Sequence, residues 1–151
     1  MLWYSVPNVM YERGLHMLTT QDRLDINETL ALHASIVDTN QLDRLDDLFT
    51  ADAVYDMSAT ASGLGAFQGI DVIRAGAARL AESGHAPLAH FVTNIIATAA
   101  GADSATVQSR GLMIMADGSV HAVSHDDILQ RSDGRWRISR RVITPLDASA
   151  E

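Results

Sequence analysis

The chain contains no cysteine and no lysine. Without cysteine there is no thiol nucleophile, no thiolate metal site and no disulfide. Without lysine there is no Schiff-base amine and no phosphate-binding lysine of the P-loop type. Any catalysis therefore falls to histidine, arginine, carboxylate, hydroxyl or backbone groups. Basic charge is scarce as well: 11 Lys+Arg, all of them arginine, stand against 19 Asp+Glu, for a net charge of −8. Affinity for a polyphosphate comes mainly from clustered Lys and Arg releasing counterions, so this balance argues against a nucleic-acid partner. The apolar opening from Met1 to Met10 lacks a basic start, contains Pro7 and meets Glu12 and Arg13 too soon for a signal peptide or a membrane span. These features point to a cytoplasmic protein with no membrane partner.

At 151 residues, with 47% hydrophobic and 20% charged side chains, the chain is long enough for one domain with a core of its own. No internal repeat or low-complexity run divides it. Ile26, Leu30, His33 and Val37 recur at helical spacing, so a helix capped at Thr20 and running to about Thr39 carries an apolar stripe with a histidine set into it. Leu42, Leu45, Leu48 and Phe49 give a second, short amphipathic helix. Ile70, Ile73, Ala77 and Leu80 give a third, which ends at Ser83 and Gly84. Ala53 to Met57 reads as a short strand and Ala61 to Gly65 as a loop. From His90 the period changes to two. Four strands, at about 90–99, 103–115, 119–131 and 135–145, follow in an antiparallel meander, because Gly101 to Asp103, Asp117-Gly118 and Asp133-Gly134 are hairpin signals. Helices followed by such a sheet define an α+β domain, and a long sheet that curls over the helices can enclose a pocket.

The chain's six histidines are the groups best suited to proton transfer near neutral pH. Strand alternation gives His121, Val123, His125 and Asp127 one face, and His90, Val92 and Asn94 one face. If those faces are concave, His33, His90 and His125 converge. His121 falls at the rim, while His16 and His85 lie in terminal or loop-like sequence. On a strand His121 and His125 are roughly 13 Å apart, too far to share a metal ion, and neither a metal nor a cofactor is expected. Asp38 ends the first helix, where the helix dipole disfavours a carboxylate. Alternation places Arg135, Arg137 and Arg141 on one face of the last strand, and Arg140 with Trp136, Ile138 and Val142 on the other. Should Arg141 turn inward, it needs an acidic partner, for which Asp127 is the candidate.

The residues from Leu24 to Ala53, with Asp38-Thr-Asn40 at the first helix end, together with Gly69 to Ile73, His90-Phe-Val-Thr-Asn94 and Asp133-Gly-Arg-Trp-Arg-Ile138, carry a resemblance. Over about residues 20 to 146 the chain resembles the SnoaL-like branch of the nuclear transport factor 2-like superfamily. That resemblance implies a cone-shaped α+β barrel, with three N-terminal helices packed in a curved, mostly antiparallel sheet. It implies a domain over residues 18–147, an N-terminal extension at 1–17 and a tail at 148–151. The nearest functional analogues are scytalone dehydratase and hexachlorocyclohexane dehydrochlorinase. Both carry a catalytic histidine where His90 stands and an aspartate where Asp38 stands, and the dehydrochlorinase also has an arginine that Arg141 matches. The resemblance thus implies a cofactor-free lyase or isomerase in which His90, Asp38 and Arg141 are catalytic. His33, His125, Tyr55, Asn94 and Asp127 form the candidate substrate-binding set, and the ligand is a small hydrophobic, oxygenated ring compound. Met57 and Val37 stand where the dehydratase has its substrate-polarising tyrosines, which leaves the substrate open. Two other roles occur on this fold: a non-catalytic ligand-binding or assembly domain, and the small subunit of a ring-hydroxylating oxygenase. A homodimer or higher homo-oligomer is expected.

Overall fold

A computed structural model describes residues 16–146. The expected extension and tail lie almost wholly outside the described residues. The first helix, α1 (Thr20–Asp38), starts at the residue expected to cap it. Thr19 is the cap: its hydroxyl accepts the Asp22 main-chain N–H at 3.0 Å, and the Asp22 carboxylate accepts the Thr19 N–H at 2.9 Å. Such a reciprocal box satisfies two otherwise unpaired donors of the first turn. Ile26, Leu30, His33 and Ile36 form the buried stripe of α1, with Val37 at its margin.

A short 3-10 helix (Leu42–Asp47) follows, burying Leu45. The expected second helix therefore stops sooner than its apolar spacing suggests, because Phe49 already belongs to strand β1 (Phe49–Asp56). The Ala61–Gly65 loop leads into β2 (Ala66–Gln68), which pairs antiparallel with β1. Three residues are too few to show a strand period, so β2 has no sequence signature. Its Phe67 packs on α2 (Ile70–Glu82) at Gly76, where an added Cβ would stand 2.9 Å from the ring. The meander is as expected: β3 (Ala89–Ala99), β4 (Ser104–Ile114), β5 (Val120–Ser132) and β6 (Arg135–Pro145). Asp133 and Gly134 have φ of 52° and 70°, the paired positive values of a type I′ hairpin.

The six strands form one curved sheet in the order β2-β1-β6-β5-β4-β3. Only β1 and β6 are parallel, and β2 and β3 remain its two edges. The helices cover one face. Ile26, Leu30 and Ile36 of α1, Leu45, Leu48 and Phe49 meet Val107, Leu129, Trp136 and Ile138 of the sheet in a single core. Burial of this apolar area is the main stabilising contribution.

Two bulges decide which side chains face that core. On β6, Ile128 pairs with Arg140 but Leu129 with Ile138, leaving Ser139 as an extra residue. Alternation beyond it is inverted. Trp136 and Ile138 point inward and so does Arg141, not Arg140 as simple alternation required. On β3, Thr93 pairs with Arg110 and Ile96 with Gln108, so Asn94, at φ 53°, is the extra residue. Asn94 is exposed and leaves the face of His90 and Val92. A bulge adds one residue to one strand and so shifts the period-two pattern by a full side.

Candidate active site

Asp38 closes α1, and His90 is the second residue of β3, whose start packs beside that helix end. The Asp38 carboxylate accepts the His90 main-chain N–H through Oδ2 at 2.9 Å, and Oδ1 lies 2.5 Å from His90 Nδ1. About a fifth of each side chain is accessible. An ionised carboxylate accepts, so Nδ1 carries the proton and Nε2 is left as the free base. Asp38 thereby has the partner that its unfavourable place at a helix C-terminus requires.

Deeper in, Tyr55, Arg141 and Asp127 form one row across β1, β6 and β5: Arg141 is the register partner of both others. Arg141 Nε and Nη2 donate to the two Asp127 carboxylate oxygens at 2.8 and 2.7 Å, and the pair is almost fully enclosed. Burial works against the Arg141 charge, but the Asp127 carboxylate more than offsets it and raises the guanidinium pKa further. Burial pushes the Tyr55 phenol up, with the Arg141 charge acting in the other direction. The inward turn of Arg141 and its expected partner Asp127 are both present.

His33 on α1 is buried, stacks on Tyr55 with ring centroids 5.9 Å apart, and meets the edge of Phe49 at 5.7 Å. Its pKa lies well below 6.5, first because burial disfavours the charged ring, then because of the Arg141, His125 and His90 charges. His125 is lowered to about 3 by burial, then by Arg141 and His90. These two imidazoles are neutral at ordinary pH. Among the described residues, His90 Nε2, His125 Nε2 and the ring nitrogens of His33 make no hydrogen bond. Thr50 Oγ1 is the one fully enclosed side-chain N or O atom without a partner there, so these ring atoms border open space.

Of the expected residues, the fold brings together Asp38, His90, His33, Tyr55, His125, Asp127 and Arg141. It does not bring Asn94, whose side chain accepts from Thr93 on the outer surface. His121 lies exposed near the Asp117-Gly118 turn, as expected for the rim. Sequence reasoning missed Ser109 and Gly111 on β4, whose inner face reads Ala105, Val107, Ser109 and Gly111. Small residues at every second position of a strand were the available signal. A depression of about 290 Å³, bordered by Ile96, Gln108, Asp126, Ile128 and Arg140, lies on the opposite face of the sheet and holds none of the histidines.

The fold and this cluster define a small α+β protein with a hydrogen-bonded Asp38–His90 pair over a curved sheet. The family model for the SnoaL-like domain matches residues 19–142, and the chain belongs to that family, within the nuclear transport factor 2-like superfamily. A search of curated protein sequences returns no match. Solved structures do match. A Nostoc punctiforme protein of unknown function with a cystatin-like fold is 21% identical, with 88% of this chain and 96% of that chain covered at a TM-score of 0.73. A candidate scytalone dehydratase from Novosphingobium aromaticivorans is 20% identical over 84% and 85% of the two chains, with a TM-score of 0.70. The beta subunit of a candidate aromatic-ring-hydroxylating dioxygenase from the same organism is 16% identical over 85% and 91%, with a TM-score of 0.66. At these identities the likeness is one of fold.

Proposed function

We propose that the protein is a lyase- or isomerase-type enzyme, a dehydratase, isomerase or cyclase, acting on a small, largely apolar, oxygenated ring compound without a cofactor. The observation that carries this reading is the Asp38–His90 dyad, with Nδ1 held by the carboxylate and Nε2 unpaired. Nε2 takes a proton from a carbon next to a carbonyl, and the C–H electron pair moves into an enolate. Asp38 keeps the ring in the required tautomer and stabilises the imidazolium. The proton then returns to another carbon, completing an isomerisation, or leaves with a hydroxyl group as water. Arg141 and the buried Tyr55 beside it oppose the developing negative charge on oxygen. His33 and His125 bind polar groups of the substrate, with Asp127 acting through Arg141.

General-base catalysis is worth about 10² to 10⁴ in rate. His90→Gln is expected to lower turnover of an identified substrate by that factor while leaving the fold intact. Full turnover in that variant would remove the assignment. Stable capture of unchanged ligand by the wild-type protein would instead favour a non-catalytic binding domain.

The likeness to a ring-hydroxylating dioxygenase beta subunit favours a second reading, as the small subunit of an oxygenase. That reading requires co-purification with a larger metalloprotein. The outer sheet face carries exposed Phe91, Ile96, Leu112 and Val120, which supports a homodimer formed through that face. Sedimentation of the purified protein separates the two assemblies. No described helix is long and apolar enough to cross a membrane.

A further inference from the structure

His125 is supported in a way the dyad does not explain. It is the direct register partner of Ser109 on β4, yet its ring does not stand over Ser109 alone. It leans along the sheet over Gly111, where an added Cβ would lie 2.7 Å from His125 Cε1 and 3.2 Å from Nε2. Gly111 is two residues nearer to Met113, and Met113 is the register partner of His90. The absent side chain at Gly111 is therefore the space that lets the Cε1–Nε2 edge of His125 point toward the catalytic base.

The other edge of the ring is held by Ser109. Its hydroxyl lies 3.4 Å from His125 Nδ1, and the residue is 1% exposed. Among the described residues this is the one hydrogen bond the hydroxyl makes. The serine has one hydrogen to donate, and Nδ1 is the acceptor at hand. If Nδ1 carried the proton, the buried hydroxyl hydrogen would be left without a partner. The satisfied arrangement puts Ser109 O–H onto Nδ1 and the ring proton on Nε2, facing the open space.

Which acceptor the Nε2–H can donate to follows from the charges around it. The charged and titratable groups near it are His33 on α1, His90 on β3 and Arg141 on β6, with Tyr55 on β1 and Asp127 on its own strand flanking Arg141. Arg141 and Asp127 neutralise each other through two hydrogen bonds. A ligand carboxylate would bring a third negative charge close to Asp38 and Asp127, with no unpaired cation of the cluster among the described residues to meet it. An uncharged oxygen needs only the donor.

We propose that Ser109 is a positioning residue that fixes His125 as an Nε2–H donor, and that this N–H donates to the carbonyl oxygen of an uncharged, ketone-type ligand. The ligand half rests on the proposed function, in which the Asp38–His90 cluster acts on a small oxygenated compound. The Ser109–His125 half does not.

The test is ¹⁵N-resolved NMR of the histidine rings in the full-length protein. Wild type is expected to show His125 as the Nε2–H tautomer across neutral pH. Ser109→Ala is expected to give a mixture with Nδ1–H, and Ser109→Thr to restore the single tautomer. An Nδ1–H wild type, or an unchanged tautomer in Ser109→Ala, overturns the positioning role. Titration with α-tetralone and with 1-naphthoate reads the ligand half on the same signal. The ketone is expected to shift His125 Nε2, and to bind about tenfold more weakly to Ser109→Ala, the worth of one neutral hydrogen bond. Equal or tighter binding of the naphthoate, or no response to the ketone, overturns it. Loss of the enzymatic reading through an active His90→Gln protein leaves the tautomer result standing, so the two failures are distinguishable.

Discussion

Asp38 and His90, 52 residues apart in sequence, are joined twice by one carboxylate, which holds the main-chain N–H at 2.9 Å and the ring Nδ1 at 2.5 Å. One contact sets where the carboxylate sits relative to the strand, and the other sets which ring nitrogen carries the proton. Position and tautomer of the His90 ring are therefore separable by mutation.

Asp38→Asn tests that separation. The amide oxygen can still accept the main-chain N–H, but an amide N–H beside Nδ1 turns that atom into an acceptor and moves the ring proton to Nε2. Turnover of an identified substrate is expected to fall by about 10³ to 10⁴, the scale of a triad aspartate replaced by asparagine. Stability should change by no more than about 1 kcal/mol. Urea unfolding and steady-state kinetics on the same preparation check both halves.

The Arg141–Asp127 pair makes a prediction about stability. Arg141→Met leaves the Asp127 carboxylate buried and unpaired, and is expected to cost about 3–5 kcal/mol. Adding Asp127→Leu removes the stranded charge and should recover most of that loss. Unfolding free energies of the two variants decide it; a double variant no more stable than Arg141→Met would contradict the account.

His125 supplies the pH dependence. Burial, then the Arg141 and His90 charges, lower its pKa from 6.5 to about 3. The unfolded chain binds that proton at the ordinary pKa, so unfolding takes up a proton between these two values. The contribution to stability is complete above pH 6.5 and is lost as pH falls toward about 3. His33, displaced in the same direction chiefly by burial, adds to the same slope. Replacing His125 with glutamine should reduce proton uptake on unfolding by about one in the acid part of this window, measured by urea titrations at several pH values. An unchanged slope would mean that His125 is not held neutral.

Gly111→Ala places a Cβ 2.7 Å from His125 Cε1 and 2.8 Å from Val123 Cγ2. Neither neighbour can remain where it is. The expected cost is about 1–3 kcal/mol, typical of an overpacked interior, together with a displaced His125 ring signal and weaker binding of ligands that depend on it.

Much of the fold was legible in residue order. Asp133-Gly134 names its hairpin because both residues tolerate positive φ, and the spacing of Ile26, Leu30 and His33 names the buried side of α1. The residues of the dyad were legible through resemblance, though not their contact. Two other features were hidden for local reasons: β2 is too short to carry a period, and Phe49 reads equally well as the end of a helix or the start of a strand.

By itself the sequence determined the α+β class, the meander, and the restriction of any chemistry to histidine, carboxylate, arginine and hydroxyl groups in a chain with neither cysteine nor lysine. The tertiary structure decided which of those groups meet. Alternation counted along β6 turns Arg141 outward, and along β3 it turns Asn94 inward; one extra residue in each strand, Ser139 and Asn94, reverses both. Nothing local compels a bulge at either place. It is selected by what the whole sheet must bury, with Trp136 and Ile138 on one side of Ser139 and the Arg141–Asp127 pair on the other, all facing the same core.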